Sequence, residues 1–222
     1  MLKALRLFCL GLVSSLVMTE TGFAEMYQID SAHSTIGFSI KHLVSRTSGR
    51  FNRFDGRINY DPAAPEATTL EATIQGNSID TGNQRRDDHL RNPDFFEVEM
   101  YPTITFKSTS AKTEGEQVLV TGDLTIHGVT KSVTLPVTVL GIGKHPSRGT
   151  PLAGFETEIK LLCSDYGVNS YANFAAVLGD EVKVNITIEA GHPRQARGGR
   201  GSGRGSGRGS RRGGRGSGRG GN

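Results

Sequence analysis

The sequence contains no tryptophan and only two cysteines in 222 residues. Cys9 falls in an N-terminal segment that reads as removable, so Cys163 is left without an internal partner. A disulfide-stapled scaffold is therefore excluded, and stability has to come from a buried core. Cys163 closes the apolar run "IKLLC" and reads as a small packed hydrophobe rather than a nucleophile. No GxSxG, HExxH or CxxC occurs, so hydrolase, zinc-protease and thiol-redox chemistry have no signature here. Helical periodicity is scarce as well, and no βαβ alternation appears, which argues against a parallel sheet.

The two ends differ from the middle. Lys3 and Arg6 precede a mostly apolar run from Leu7 to Met18, too short to span a bilayer comfortably. Gly22 and Ala24 are small residues at signal-peptidase spacing, so residues 1–24 read as a secretory leader cut after Ala24. The expected location is the periplasm, or the medium if the protein is secreted. With the leader gone, no transmembrane segment is expected. From Arg194 the chain holds nine Arg, no acid and almost nothing apolar, so residues 193–222 read as a disordered Arg/Gly-rich tail. Between leader and tail, 15 Lys and Arg face 21 Asp and Glu, a net −6, whereas the tail carries +9. The folded part is acidic and the basic balance belongs to the tail.

Such a tail suits anionic partners. It has no interleaved aromatics on which bases could stack, and the leader directs it out of the cytoplasm, so nucleic acid is not the expected partner. Anionic lipid, surface polysaccharide and the acidic face of the domain itself remain open, beside a merely solubilising role.

Residues 25–192 show repeated period-two alternation. Ile36, Phe38 and Ile40 face one way; Leu70, Ala72 and Ile74 do the same in "LEATIQ". Val133, Leu135, Val137 and Val139 form a third set, Phe155, Thr157, Ile159 and Leu161 a fourth, and Val182, Val184, Ile186 and Ile188 a fifth. Further strands fit "RFNRFDGRINY", "TITFKSTSA" and "QVLVTGDLTI", with a tight turn at His127-Gly128. About eight amphipathic strands predict an all-β antiparallel fold that closes into a barrel to remove its edges. Pro136 predicts an edge, seam or bulge. Two short helices are expected, one in "TGNQRRDDHL" with Thr81 as N-cap and one in "SYANFAAVLG" ended by Gly179.

The densest stretch is "RRDDHL", Arg85 to Leu90. It supports three readings: ion pairs that fix a short helix across the barrel, contacts to a ligand's polar head, or proton transfer by His89 with an orienting acid. Phe95 and Phe96 either plug the core or line a site. His33, His42, His89 and His127 lack the short spacing of a structural metal centre, so no metal is expected.

Six ordered motifs make the chain resemble the YceI-like family of exported proteins associated with polyisoprenoid binding. They are "DSAHSTIGFSIKHL", "GRFNRFDGRINYDP", "SIDTGNQRRDDHLRNPDFFEVEMYPTITFKST", "TGDLTIHGVTKSVTLPV", "SDYGV" and "GDEVKVNITIEA", spanning Tyr27 to Ala190. The resemblance implies a lipocalin-like barrel with an elongated apolar interior that holds an isoprenoid quinone-like or fatty lipid, without a cofactor and without chemistry. Phe38, Ile40, Phe51, Phe54, Phe95, Phe96, Phe106 and Phe155 are then the candidate apolar wall. His33, Arg86, Asp87 and His89 are the candidate polar-head contacts. Cys163 departs from the pattern, which has a polar or basic residue before "SDYGV", and the tail has no counterpart in it. A filled barrel whose active part is the cationic tail is the competing reading, and a homodimer is left open.

Overall fold

The computed structural model describes residues 25–168 and 177–192. The leader, the tail and residues 169–176 lie outside the described residues. The expected helix in "SYANFAAVLG" therefore falls largely outside them, although Gly179 does not end a helix: it already belongs to a strand.

Eleven strands form one antiparallel sheet that curls on itself. In chain order these are β1 (Glu25–Ile29), β2 (Thr35–His42), β3 (Ser45–Phe51), β4 (Phe54–Tyr60), β5 (Thr69–Gln75) and β6 (Ile79–Asp80). After helix α1 (Gln84–Arg91) come β7 (Thr103–Glu114), β8 (Gln117–Ile126), β9 (Val129–Lys144), β10 (Pro151–Leu162) and β11 (Leu178–Gly191). The ring runs β1-β4-β5-β7-β8-β9-β10-β11 and returns to β1, an eight-strand barrel as the alternation predicts. β11 changes partner along its length. Its first part pairs with β2, from Leu178↔His42 to Thr187↔Thr35, and its end pairs with β1 at Ala190↔Ile29. β3 and then the two-residue β6 extend the sheet beyond β2.

Local chemistry sets the breaks. "RFNRFDGRINY" is not one strand but the end of β3 and the whole of β4. Ser78 causes the break: its carbonyl accepts from Asn52 N–H at 3.0 Å and its hydroxyl oxygen from Arg53 N–H at 3.0 Å. The turn at His127-Gly128 has φ of 51° and 75°, the mirror-image turn that matches strand twist. A Cβ on Gly128 would come within 2.6 Å of the Tyr101 ring. Pro136 sits past the end of the β9–β10 ladder, which stops at Thr138↔Glu156, so its missing N–H removes no bond to β10.

Helix α1 lies after β6. Its N-cap is Asn83, whose side chain accepts from Arg86 N–H at 3.1 Å, not Thr81 as the sequence suggests. At the far end of the barrel, Phe155 packs edge-on against Tyr60 and Tyr27, at centroid distances of 5.7 and 6.4 Å. Tyr27 is buried, and desolvation, aided by the Glu25 carboxylate, pushes its phenol up to about 12.

Candidate functional site

The barrel interior is not filled. It encloses a cavity of about 610 Å³. The wall is built by the inward alternation of several strands: Leu70, Ala72 and Ile74 of β5, Leu135, Val137 and Val139 of β9, and Val182, Val184, Ile186 and Ile188 of β11. Such a chamber removes apolar surface from water without closing on itself, which costs dispersion contacts that a ligand can restore. Its wall carries one notable polar atom. Thr157 lines the chamber and its Oγ1 is buried with no hydrogen-bond partner among the described residues.

Seven of the eight predicted wall residues line this chamber: Phe38, Ile40, Phe51, Phe95, Phe96, Phe106 and Phe155. Phe54 does not. It is buried in the core near the start of β4, beyond the chamber. Phe51 links the set, with Phe38 at 5.7 Å and Phe96 edge-on at 5.9 Å. The loop after α1 delivers Phe95 and Phe96. It folds back because Phe96 N–H donates to Leu90 O and Val98 N–H to Arg91 O, both at 3.0 Å.

The four predicted polar contacts separate. Arg86 and His89, both exposed on α1, line the chamber and also face solvent, so this is where it reaches the surface. Arg86 donates to Thr81 through Nε at 2.7 Å (to the hydroxyl) and Nη2 at 2.8 Å (to the carbonyl). His89 stacks edge-on with Phe95 at 5.1 Å and lies 3.3 Å from Asp94 Oδ2. Asp87 turns away from the chamber. It is buried and its Oδ1 accepts from Thr81 N–H at 2.9 Å and from the Thr81 hydroxyl at 2.6 Å. Asp87→Ala therefore leaves the Thr81 N–H and the Thr81 hydroxyl hydrogen without their acceptor, and chemical denaturation is expected to show a loss of about 1–3 kcal/mol.

His33 is also displaced from the mouth. It joins Asp30 and Glu189 in a surface cluster whose ligand atoms lie within 4.8 Å of one another, holding the β1–β2 turn against β11. His127 does more than turn a hairpin. Its Nε2 faces Glu97 Oε2 at 3.3 Å and its Nδ1 faces the Tyr166 carbonyl at 3.2 Å. Both His127 and Glu97 hold positive φ, so this contact fastens the Phe95–Phe96 loop to the wall through two strained residues.

Cys163 lines the chamber, and burial, with the Asp180 carboxylate nearby, pushes its thiol up to about 11. The thiolate is thus scarce at neutral pH. Modification of Cys163 by a disulfide reagent, mapped by peptide mass, is expected to be slow at pH 7 and to rise roughly tenfold per pH unit toward pH 9. Rapid labelling at pH 7 would contradict this placement.

Sequence reasoning missed His42 and Thr47 at the rim and did not single out Thr157. It also took the wall as mainly aromatic, although the alternation in β11 already placed four aliphatic residues on the same face.

An antiparallel barrel closed around one apolar chamber, with a charged helix at its mouth, defines a lipocalin-like binding barrel. The comparisons narrow the class. Residues 27–190 match the YceI-like domain. A UPF0312 protein of Pseudomonas paraeruginosa is 40% identical over 186 residues, covering 82% of this chain and 95% of its own. The crystal structure of Burkholderia cenocepacia BcnA aligns with a TM-score of 0.67 at 28% identity, over 72% of this chain and 98% of its own. A polyisoprenoid binding domain from Saccharophagus degradans shares the fold at 20% identity, with a TM-score of 0.57 over 75% of this chain and 98% of its own. The chain belongs to the YceI-like family.

Proposed function

We propose that this protein is an exported carrier that sequesters a long-chain isoprenoid, quinone-like or similar amphiphilic lipid in its barrel. The observation that supports this most is the apolar chamber of about 610 Å³. Each methylene buried there contributes about 0.8 kcal/mol, so a chain of ten supplies roughly 8 kcal/mol before the costs of association. The polar head would sit at the α1 mouth. Arg86 has committed two N–H groups to Thr81, and it lines the chamber together with His89. The Saccharophagus degradans neighbour, described as binding polyisoprenoid, supports the ligand class, and the leader sequence supports export to the periplasm or beyond.

The reading is encapsulation without chemistry. A thiol held near 11 is a poor nucleophile, and His89 is engaged by Asp94 and Phe95. The test is native mass spectrometry of the protein isolated from its own cell envelope. A bound mass that leaves on denaturation and fragments as an isoprenoid or acyl chain is expected. A bare polypeptide mass, unchanged after incubation with quinones and fatty acids, would rule the carrier out.

A further inference from the structure

The β2–β3 hairpin turns through only two residues, Leu43 and Val44, since His42 and Ser45 are paired directly. Leu43 takes φ 51°, where glycine would be free of strain. Leu43 is 52% exposed and Val44 fully so. The chain therefore puts a branched apolar residue in a conformation that disfavours it and leaves two apolar side chains in water. Among the described residues nothing compensates.

The flanking charges repeat the pattern. Lys41 and Arg46 lie directly opposite each other across the hairpin, a like-charge pair that destabilises it. Neither has a carboxylate at ion-pair distance among the described residues. Arg46 donates only to the Ser39 hydroxyl and carbonyl. Neighbouring cations are neutralised, Lys160 by Glu181 and Lys183 by Glu158. Asp180 follows Gly179, which approaches Lys41, yet its carboxylate accepts from the Ser164 N–H and hydroxyl instead.

The tip stands at the rim of the chamber. Leu43 N–H donates to Val177 O at 2.7 Å, and His42 pairs with Leu178, both of which line the cavity. Leu162, also a lining residue, is 43% exposed at the same end.

We propose that the β2–β3 tip docks the protein on an anionic lipid bilayer, with Leu43 and Val44 entering the interface and Lys41 and Arg46 meeting acidic head groups. An anionic bilayer answers both halves of the tip, bare apolar side chains beside cations that have no carboxylate partner among the described residues. Without Lys41 and Arg46 the rest of the domain carries 13 Lys and Arg against 21 Asp and Glu, a net −8, and is repelled by such a surface, so the tip also sets orientation. This goes beyond the carrier reading, since it concerns the outer surface and stands on its own observations.

The test is flotation of the full chain with vesicles of phosphatidylethanolamine and phosphatidylglycerol, or of phosphatidylcholine alone. Leu43→Gly with Val44→Asn is the informative variant, because glycine relieves the strained turn and the fold is kept or stabilised. A second variant is Lys41→Gln with Arg46→Gln. The Arg/Gly tail is present in every sample, so a difference between variants reads the tip. Each variant is expected to bind the anionic vesicles roughly tenfold or more weakly than the parent, with a melting temperature no lower than the parent's. Binding of the Leu43→Gly, Val44→Asn variant equal to the parent overturns the proposal, as does no vesicle binding by the parent. Tip-dependent capture of polyglutamate without vesicle binding overturns it too. Chamber occupancy, read separately by native mass spectrometry, tells failure of the carrier reading from failure of the docking surface.

Discussion

Ile159→Trp combined with Val184→Trp leaves the barrel folded and lowers its affinity for a long-chain lipid by about a hundredfold or more. These residues are direct partners across the β10–β11 ladder, and both side chains face the chamber. The added rings have open space to enter, so they do not overpack a filled core, the usual source of destabilisation by larger residues. Each ring occupies room that the lipid tail would use. Displacing about four methylenes at about 0.8 kcal/mol each removes roughly 3 kcal/mol of binding. Native mass spectrometry after incubation with a long-chain quinone reads the loss, and circular dichroism reads the fold. The parent has no tryptophan, so emission from the introduced rings also reports directly on the chamber. Undiminished lipid occupancy would place the ligand outside the barrel.

Phe155→Ala is expected to cost about 3–5 kcal/mol of stability, read as a lower urea midpoint. Phe155 is only 4% exposed and is the ring that joins Tyr60 to Tyr27 at the far end of the barrel. Removing it widens a void that already exists, and edge-to-face contacts worth about 0.5–1.5 kcal/mol each go with it. The small residues around it, Ala153 and Ala190, cannot reach across to refill the space. The contrast is Phe96→Ala in the loop at the mouth, where the ring is only half-buried and the effect on stability is expected to be smaller. Equal losses at the two sites would mean that the far end is no more rigidly packed than the mouth.

Strand content and facing were legible because alternation needs only the period of the backbone. The inward sets of β2, β5, β10 and β11 line the chamber as the sequence predicts. The break between β3 and β4 was not legible, because it depends on Ser78, a residue 25 positions from Arg53. The role of Asp87 was hidden for a related reason. Its neighbours Arg86 and His89 face the mouth, but one helical position rotates it onto Thr81. Phe54 is buried in the core but does not line the void, although its cross-strand partner Ile74 does, so alternation does not by itself say which buried ring borders the space. The void itself is an absence of atoms, which no residue pattern encodes; only the family resemblance pointed to it.

β9 and β10 run on as strands after their shared ladder ends at Thr138↔Glu156. Beyond that point the two staves share no rungs. Parting them would break no backbone bond of that ladder, and Thr157, whose hydroxyl has no partner among the described residues, is the first β10 residue beyond it. A stiff, methyl-branched tail could thus be admitted by a wall that gives along one line, while the rings of Phe155, Tyr60 and Tyr27 keep the far end at fixed girth. Width at one end and rigidity at the other would let a single chamber accept tails of unequal bulk while limiting how deep any of them goes.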